Sequence, residues 1–397
     1  MFDGLEMPSD KQVSHMRFVS FRRSILTTRG DNAQAVGSSH DFNSQDSEME
    51  SFQKLVFNRF HELSVANDDE LLSISWIQRL LDAFACCQEE FRVILCNKKA
   101  FISKPPLDKF LSEFFDRSIK ALDICNATRD GIEKIRQWKN HLEIVLCALD
   151  SNQKMISEGH IRRARKALMD LAIFMLDDKE TGSVFSHRNR SFGRLQKNKD
   201  HHNRRGSGHS RSLSWSVPNS WSASKQLQSM ANNLVAPRGT ELAAANGLSV
   251  GVFTMSFILM FVFWTLVVAF PCQDRGHQVH FTIPRQFPWS TPLFLLHSRI
   301  IDESKKRGRR DSNGLLKEIY QMEKCINRIT DLVDSAQSPL TEEQRKDARD
   351  GMQELSLFCE VCKAELDPLE RHLREVFRKI MSCRTEGLDL LGKAAQT

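Results

Sequence analysis

Tyrosine is almost missing from this chain. It occurs once among 397 residues, against 26 phenylalanines and six tryptophans. Half-buried strands use tyrosine freely, so its scarcity points away from an all-β fold and towards helices. Glycine (18) and proline (11) are also scarce, which excludes collagen-like and proline-rich architectures. The first ten residues carry Asp3, Glu6 and Asp10 and no apolar run, so neither a secretory signal nor a transit peptide is expected. Ten cysteines in such a chain read as reduced, mostly buried thiols facing the cytosol, not as a disulfide framework. There is no Ser/His/Asp order and no HExxH. The one Gly-x-Gly, Gly206-Ser207-Gly208, has no strand before it. No enzyme activity, catalytic residue, cofactor or metal is expected.

What is present suffices to fold. Apolar residues make up 41% and charged residues 27%, enough for a core and too apolar for overall disorder. The net charge of +6 is unevenly placed. Between Ser183 and Thr240 ten Lys/Arg face one acid, Asp200, a net +9 that leaves −3 for the rest. With twelve serines and little apolar content, this segment cannot offset its ordering entropy and is expected to be a disordered linker.

Helical periodicity organises the remainder. Residues 1–47 are polar and irregular, a flexible tail with a basic patch at Arg17, Arg22, Arg23 and Arg29. Over 48–182 the spacing predicts about four helices. The first presents Phe52, Val56, Phe60 and Leu63 on one face. The second, near 71–97, presents Ile74, Ile77, Leu81, Phe84, Phe91, Ile94 and Leu95. After Pro105-Pro106 a stripe from Leu107 to Leu149 predicts one helix of roughly 65 Å, with Gly131 the natural kink. The fourth, near 157–178, points Ile161, Leu168, Leu171 and Met175 inward. The C-terminal region, 273–397, is helical again. Leu315, Ile319, Met322, Ile326, Ile329 and Val333 share a face. Thr341 and Gln344 read as a capping box opening the next helix, which Asp367-Pro368 should kink or restart. The fold class expected is all-α: an elongated multi-helix bundle with a disordered basic Ser-rich linker and one very apolar helix.

That apolar helix lies within 241–272. Leu248 to Phe270 is 23 residues without a charge, closed by Pro271. About 20 apolar residues cover a bilayer core. Leu248, Phe257, Phe263, Trp264 and Phe270 would then mark a single transmembrane span, and the hydroxyls of Ser249, Thr254, Ser256 and Thr265 can bond back to helix carbonyls. A large helical bundle can equally bury one helix that is apolar all round, with Phe281 to Leu296 covering its end. Both readings stand at the level of sequence. Basic clusters on both sides, including Lys305 to Arg310, leave the orientation of a span undetermined.

Other motifs weigh less. Cys359-x-x-Cys362 has no second ligand pair for zinc and sits in a predicted helix, so it reads as core, as does Cys86-Cys87. His201-His202 reads as an incidental polar pair. Ser24, Ser191, Ser207 and Ser214 follow arginines closely and are candidate phosphosites, where each phosphate would cancel up to two positive charges. The same basic residues suit anionic lipid, at about 1 kcal/mol per residue near a surface. Trp215 and Trp221 would suit base stacking. No recognised nucleic-acid module accompanies them, and nucleic acid is not an expected partner.

Four blocks resemble a known family: MESFQKLVFNRFHEL (49–63), FFDRSIKALDICNATRDGIEKIRQW (114–138), LVVAFPCQDRG (266–276) and FPWSTPLFLLHSRIIDESKKR (287–307). In sequence and order they are similar to the plant BYPASS-related, or ROH-type, proteins, from about Arg22 to the C-terminus. The resemblance implies an all-helical, non-enzymatic interaction protein. It further implies contact with subunits of the exocyst tethering complex in secretion, or a role in growth and developmental signalling. No catalytic residue carries over. The expected location is at a membrane, single-pass or peripheral, facing the cytosol, with a soluble cytosolic adaptor as the alternative.

Overall fold

The helix starts at Ser73 and Thr341 are fixed by side-chain caps. Ser73 takes extended backbone and its Oγ accepts the Trp76 N–H at 3.1 Å, opening a helix over Ile74–Asn97. The capping box at 341–344 forms as expected: Thr341 Oγ1 accepts the Gln344 N–H at 3.2 Å, and Gln344 Oε1 accepts the Thr341 N–H at 3.1 Å.

The structure is a computed structural model and describes residues 39–149, 157–180, 222–244, 247–272, 279–307, 313–335 and 341–394. Eleven helices and no strand occur among the described residues. They are α1 (Ser39–Ser64), α2 (Ile74–Asn97), α3 (Lys99–Ile102), α4 (Leu107–Leu149), α5 (Glu158–Glu180), α6 (Ala223–Ala231), α7 (Gly239–Ala244), α8 (Leu248–Ala269), α9 (Ser290–Lys306), α10 (Lys317–Ser335) and α11 (Glu342–Ala394).

The two longest helices frame the bundle. α4 and α11 run antiparallel, with Arg136 reaching Glu370 at 2.6 Å and Lys363 reaching Glu143 at 3.1 Å. α2 lies parallel to α11, tied by Gln78 to Glu365 and by Arg92 to Glu386. Every position of the apolar stripe read from Leu107 to Leu149 is buried. Gly131 lies inside a continuous helix. A Cβ there would sit 3.3 Å from Phe270 Cβ, so the glycine serves close approach to the end of α8.

Three elements differ from the sequence-based expectation. The first helix opens at Ser39, inside the segment expected as a tail, because packing at Phe52, Val56 and Phe60 nucleates a helix that its polar leader can extend. α11 continues through Pro368 for 53 residues, so of the two expected outcomes the restart does not occur. Leu366 and Leu369 are buried on either side of the proline, and Arg136 also holds Asp367 at 2.8 Å. That packing outweighs one missing helix hydrogen bond. The third difference is the C-terminal end of the segment expected as linker. Residues 222–240 pack on the bundle, and α6 buries Ala223, Leu227 and Met230 against α4 and α8. Spacings of four and three carry that signal, which averaging over a basic, serine-rich segment hides. Residues 1–38, 181–221 and 308–312 lie outside the described residues.

α8 occupies the centre. It packs against α1, α2, α4, α6 and α7, and Leu248, Phe257, Phe263, Trp264 and Phe270 are all at most 4% exposed. By length and composition alone it could cross a membrane, and its whole apolar length is enclosed by the rest of the chain. The enclosure is specific. Phe60 meets Phe261 edge-on at 6.2 Å, Phe84 meets Phe263 at 6.0 Å, and Phe281 caps Phe257, Phe261 and Trp264. Gln53 Nε2 donates to Thr254 Oγ1 at 2.8 Å, and Trp289 Nε1 donates to Gln53 Oε1 at 2.8 Å. Withdrawing α8 would bare each of these aromatic faces at roughly 1.5–3 kcal/mol apiece and strand buried polar groups.

The C-terminal end of α8 is closed by backbone. Leu315 N–H donates to Val268 O at 2.9 Å and Leu316 N–H to Ala269 O at 3.1 Å, satisfying carbonyls that a helix end otherwise orphans. Arg307 Nη1 in turn donates to Leu315 O at 2.7 Å.

Candidate functional site

The residues singled out by sequence divide sharply. The five apolar marker residues, Leu248 to Phe270, are core side chains of α8 or its C-cap. Ser24, Ser191, Ser207 and Ser214 lie outside the described residues, as do His201, His202, Trp215 and Trp221. Cys359 and Cys362 are buried, and burial pushes their thiols up to about 11 and about 12. Cys87 is likewise pushed up to about 12 by burial. Among the described residues no group of three His, Cys, Asp or Glu side chains is placed to hold a metal ion. In the basic cluster at the end of α9, Lys305 pairs with Asp302, Lys306 with Glu303, and Arg307 is spent on the Leu315 and Leu316 carbonyls.

Two features that sequence reasoning did not single out remain. The first is the outer face of α5. Its inner face buries Ile161, Ala164, Leu168 and Leu171, and Phe174 stacks on His141 of α4 with ring centroids 5.1 Å apart. Arg165 fixes the helix to α10, donating to Asp334 Oδ1 at 3.1 Å and to Val333 O at 2.5 Å. Turned outward at i, i+4, i+7 and i+11 are Arg162, Lys166, Met169 and Ile173. Met169 is 60% and Ile173 51% exposed, and Ile144 of the neighbouring α4 is 58% exposed. The signal was available in sequence: Met169 and Ile173 lie off the stripe that buries Leu168 and Leu171.

The second is a cavity of about 340 Å³ where α4, the 232–238 connection and the start of α8 meet. Phe110, Leu234, Val252 and Phe253 form its apolar wall. Lys109 and Arg238 stand exposed at its rim. Arg117 is buried beside it, donating to Met230 O at 3.0 Å and to Asn232 O at 3.3 Å, with Glu113 Oε2 at 3.5 Å. Burial draws the Arg117 pKa below the ordinary guanidinium value, and Glu113 opposes the shift. Glu241 accepts the Arg238 backbone N–H at 2.7 Å. Ser249, 1% exposed, lines the cavity with a buried hydroxyl that finds no partner among the described residues. α8 opens beside it on Gly247, at φ +75°, with no side-chain cap. Sequence placed Ser249 as a hydroxyl bonding back to its own helix, and the structure leaves it unpaired.

Known proteins extend the comparison. A family model described as Protein ROH1-like matches residues 13–391. Protein ROH1D of Arabidopsis thaliana is 50% identical over 387 residues, covering 94% of this chain and 97% of that protein. Protein ROH1A of Arabidopsis thaliana is 34% identical over 420 aligned positions, covering 98% and 97%. UPF0496 protein 4 of Oryza sativa subsp. indica is 21% identical over 271 positions, covering 68% of this chain and 50% of that protein. No solved structure matches the chain.

Proposed function

The chain belongs to the ROH1-like family, and on that premise we propose that it is a non-enzymatic docking protein. Its partner is a subunit of the exocyst tethering complex, the contact that the family resemblance implies, in secretion or growth signalling. The observation that carries the reading is the outward stripe of α5, where Met169 and Ile173 face solvent on a helix fixed from behind by His141 and Asp334. Exposed apolar side chains at helical spacing on a rigid helix are what a partner helix packs against.

Burial of α8 favours the adaptor form of this proposal, in which the apolar helix is core and the protein reaches membranes peripherally. The net +9 between Ser183 and Thr240 supplies attraction to anionic lipid. Phosphorylation at Ser24, Ser191, Ser207 or Ser214 would weaken that attraction by adding negative charge.

Purified full-length protein, titrated with individual exocyst subunits, tests the reading. At least one subunit should bind, and Met169→Ser with Ile173→Ser should weaken it tenfold or more without lowering Tm. Failure of every subunit to bind overturns the partner. Carbonate extraction of expressed protein should release it to the supernatant, and retention in the pellet overturns the peripheral form. Ser207→Asp with Ser214→Asp should reduce sedimentation with anionic vesicles at fixed salt, and unchanged sedimentation removes the phosphorylation step.

A further inference from the structure

We propose that the cavity at the start of α8 is a binding site for a small amphipathic organic anion, with a carboxylate or phosphate head and a short alkyl or aromatic body. The proposal does not rest on the docking reading above, since the cavity is built from α4, the 232–238 connection and α8, and the docking stripe lies on α5.

Three independent features define the ligand. The start of α8 is one. A 22-residue helix presents the positive end of its dipole, and no side-chain cap is present at its N-cap, Gly247, among the described residues. The second is Ser249. The residue lines the cavity, and its hydroxyl, shielded from water in the wall, has no partner among the described residues, so it is a donor free to turn towards an acceptor. Buried hydroxyls without partners are costly, and an acceptor atom entering the cavity relieves that cost.

The third is the make-up of the lining. Phe110, Leu234, Val252 and Phe253 supply apolar surface. Lys109, Arg117 and Arg238 bring three cations against two acids, Glu113 and Glu241. Glu113 pairs with Arg117, which two carbonyls also hold, and Glu241 accepts the Arg238 N–H, so Lys109 and Arg238 against Glu241 leave the rim net positive. Lys109 has no ion pair among the described residues. The lining therefore combines apolar surface with a net positive rim. A volume of about 340 Å³ falls at the lower end of the range that small-molecule sites occupy, which limits the body to a short chain or one or two rings.

Calorimetric titration of the full-length protein with octanoate, octyl phosphate, octanol and octylamine tests this. One of the two anions should bind at least tenfold more tightly than octanol and octylamine, and the preferred anion identifies the head group. Lys109→Glu with Arg238→Glu alters only exposed rim positions and should weaken that anion tenfold or more while leaving the Tm of the ligand-free protein unchanged. Ser249→Ala should weaken it as well. Indifference to head-group charge, insensitivity to the rim substitutions, or no binding by either anion overturns the proposal. Binding of exocyst subunits should be unchanged in the rim variant, so loss of the ligand site and loss of docking read out separately.

Discussion

Glu318 and Ile74 are 244 residues apart in sequence, and the carboxylate of the first caps the helix that the second begins. Glu318 Oε1 accepts the Ile74 N–H at 3.0 Å, while its Oε2 is buried with no partner among the described residues. The first turn of α10 thereby supplies the acceptor that the start of α2 lacks, and Lys317 N–H donates to Leu72 O at 2.9 Å beside it. Burial raises the Glu318 pKa, and the Ile74 hydrogen bond only partly opposes that.

A pH dependence follows from that raised pKa. A carboxyl whose folded pKa exceeds its unfolded value binds its proton more tightly in the native state, so its contribution is present at low pH and is lost as pH rises through the folded pKa. Glu318→Gln should therefore remove a decline in stability above about pH 4.5, read as the difference between wild-type and variant urea unfolding at pH 4.5 and pH 7. Parallel curves for the two proteins would contradict the assignment. Glu318→Ala should cost about 1–2 kcal/mol through the lost cap.

Gly314 controls the closure of α8. Its φ is +117°, and a Cβ there would lie 2.3 Å from Ala269 O. Gly314→Ala must displace the turn that places the Leu315 and Leu316 N–H groups on the α8 carbonyls. We expect a loss of about 2–4 kcal/mol in chemical unfolding, from backbone strain and stranded carbonyls together. A change below about 0.5 kcal/mol would show that the turn yields without cost.

Thr254 of α8 accepts hydrogen bonds from two other elements of the fold. Thr254→Val keeps the shape and leaves Gln53 Nε2 without its acceptor, and should cost about 1–3 kcal/mol. Adding Gln53→Leu should deepen that loss, because the buried Trp289 Nε1 then loses both of its acceptors. A double-mutant cycle with zero coupling would separate the two residues energetically.

The cysteines should label in a fixed order. Cys147 is exposed, whereas burial pushes Cys87, Cys362 and Cys383 up to about 12. At pH 8 a thiol of that pKa is thiolate in about one molecule in ten thousand, so alkylation of native protein should mark Cys147 first and spare these three. Early mass-spectrometric modification of Cys362 would mean that the α4–α11 interface opens.

Legibility followed the range of each interaction. The stripes on α2 and α4 are periodic, so each buried position from Ile74 to Leu95 and from Leu107 to Leu149 that was read from spacing is buried in the fold. The capping box at Thr341 and Gln344 spans four residues and was equally plain. Glu318 at Ile74, and Leu315 at Val268, join elements far apart in the chain and leave no local pattern. α6 was hidden for a different reason: its three buried residues are diluted in a segment whose average composition is that of a linker. The cavity was hidden because a lining is a property of three separate stretches.

Sequence by itself determined that the chain is all-helical, where its long helices run, which of their faces turn inward, and that one helix has no polar side. It left undetermined what surrounds that helix, because a side chain's transfer out of water is favourable whether lipid or protein receives it. Tertiary structure decided which protein groups meet it: Phe60 of α1 and Phe84 of α2 pack on Phe261 and Phe263 of α8, and Gln53 and Trp289 find Thr254, contacts that only folding back of the chain provides.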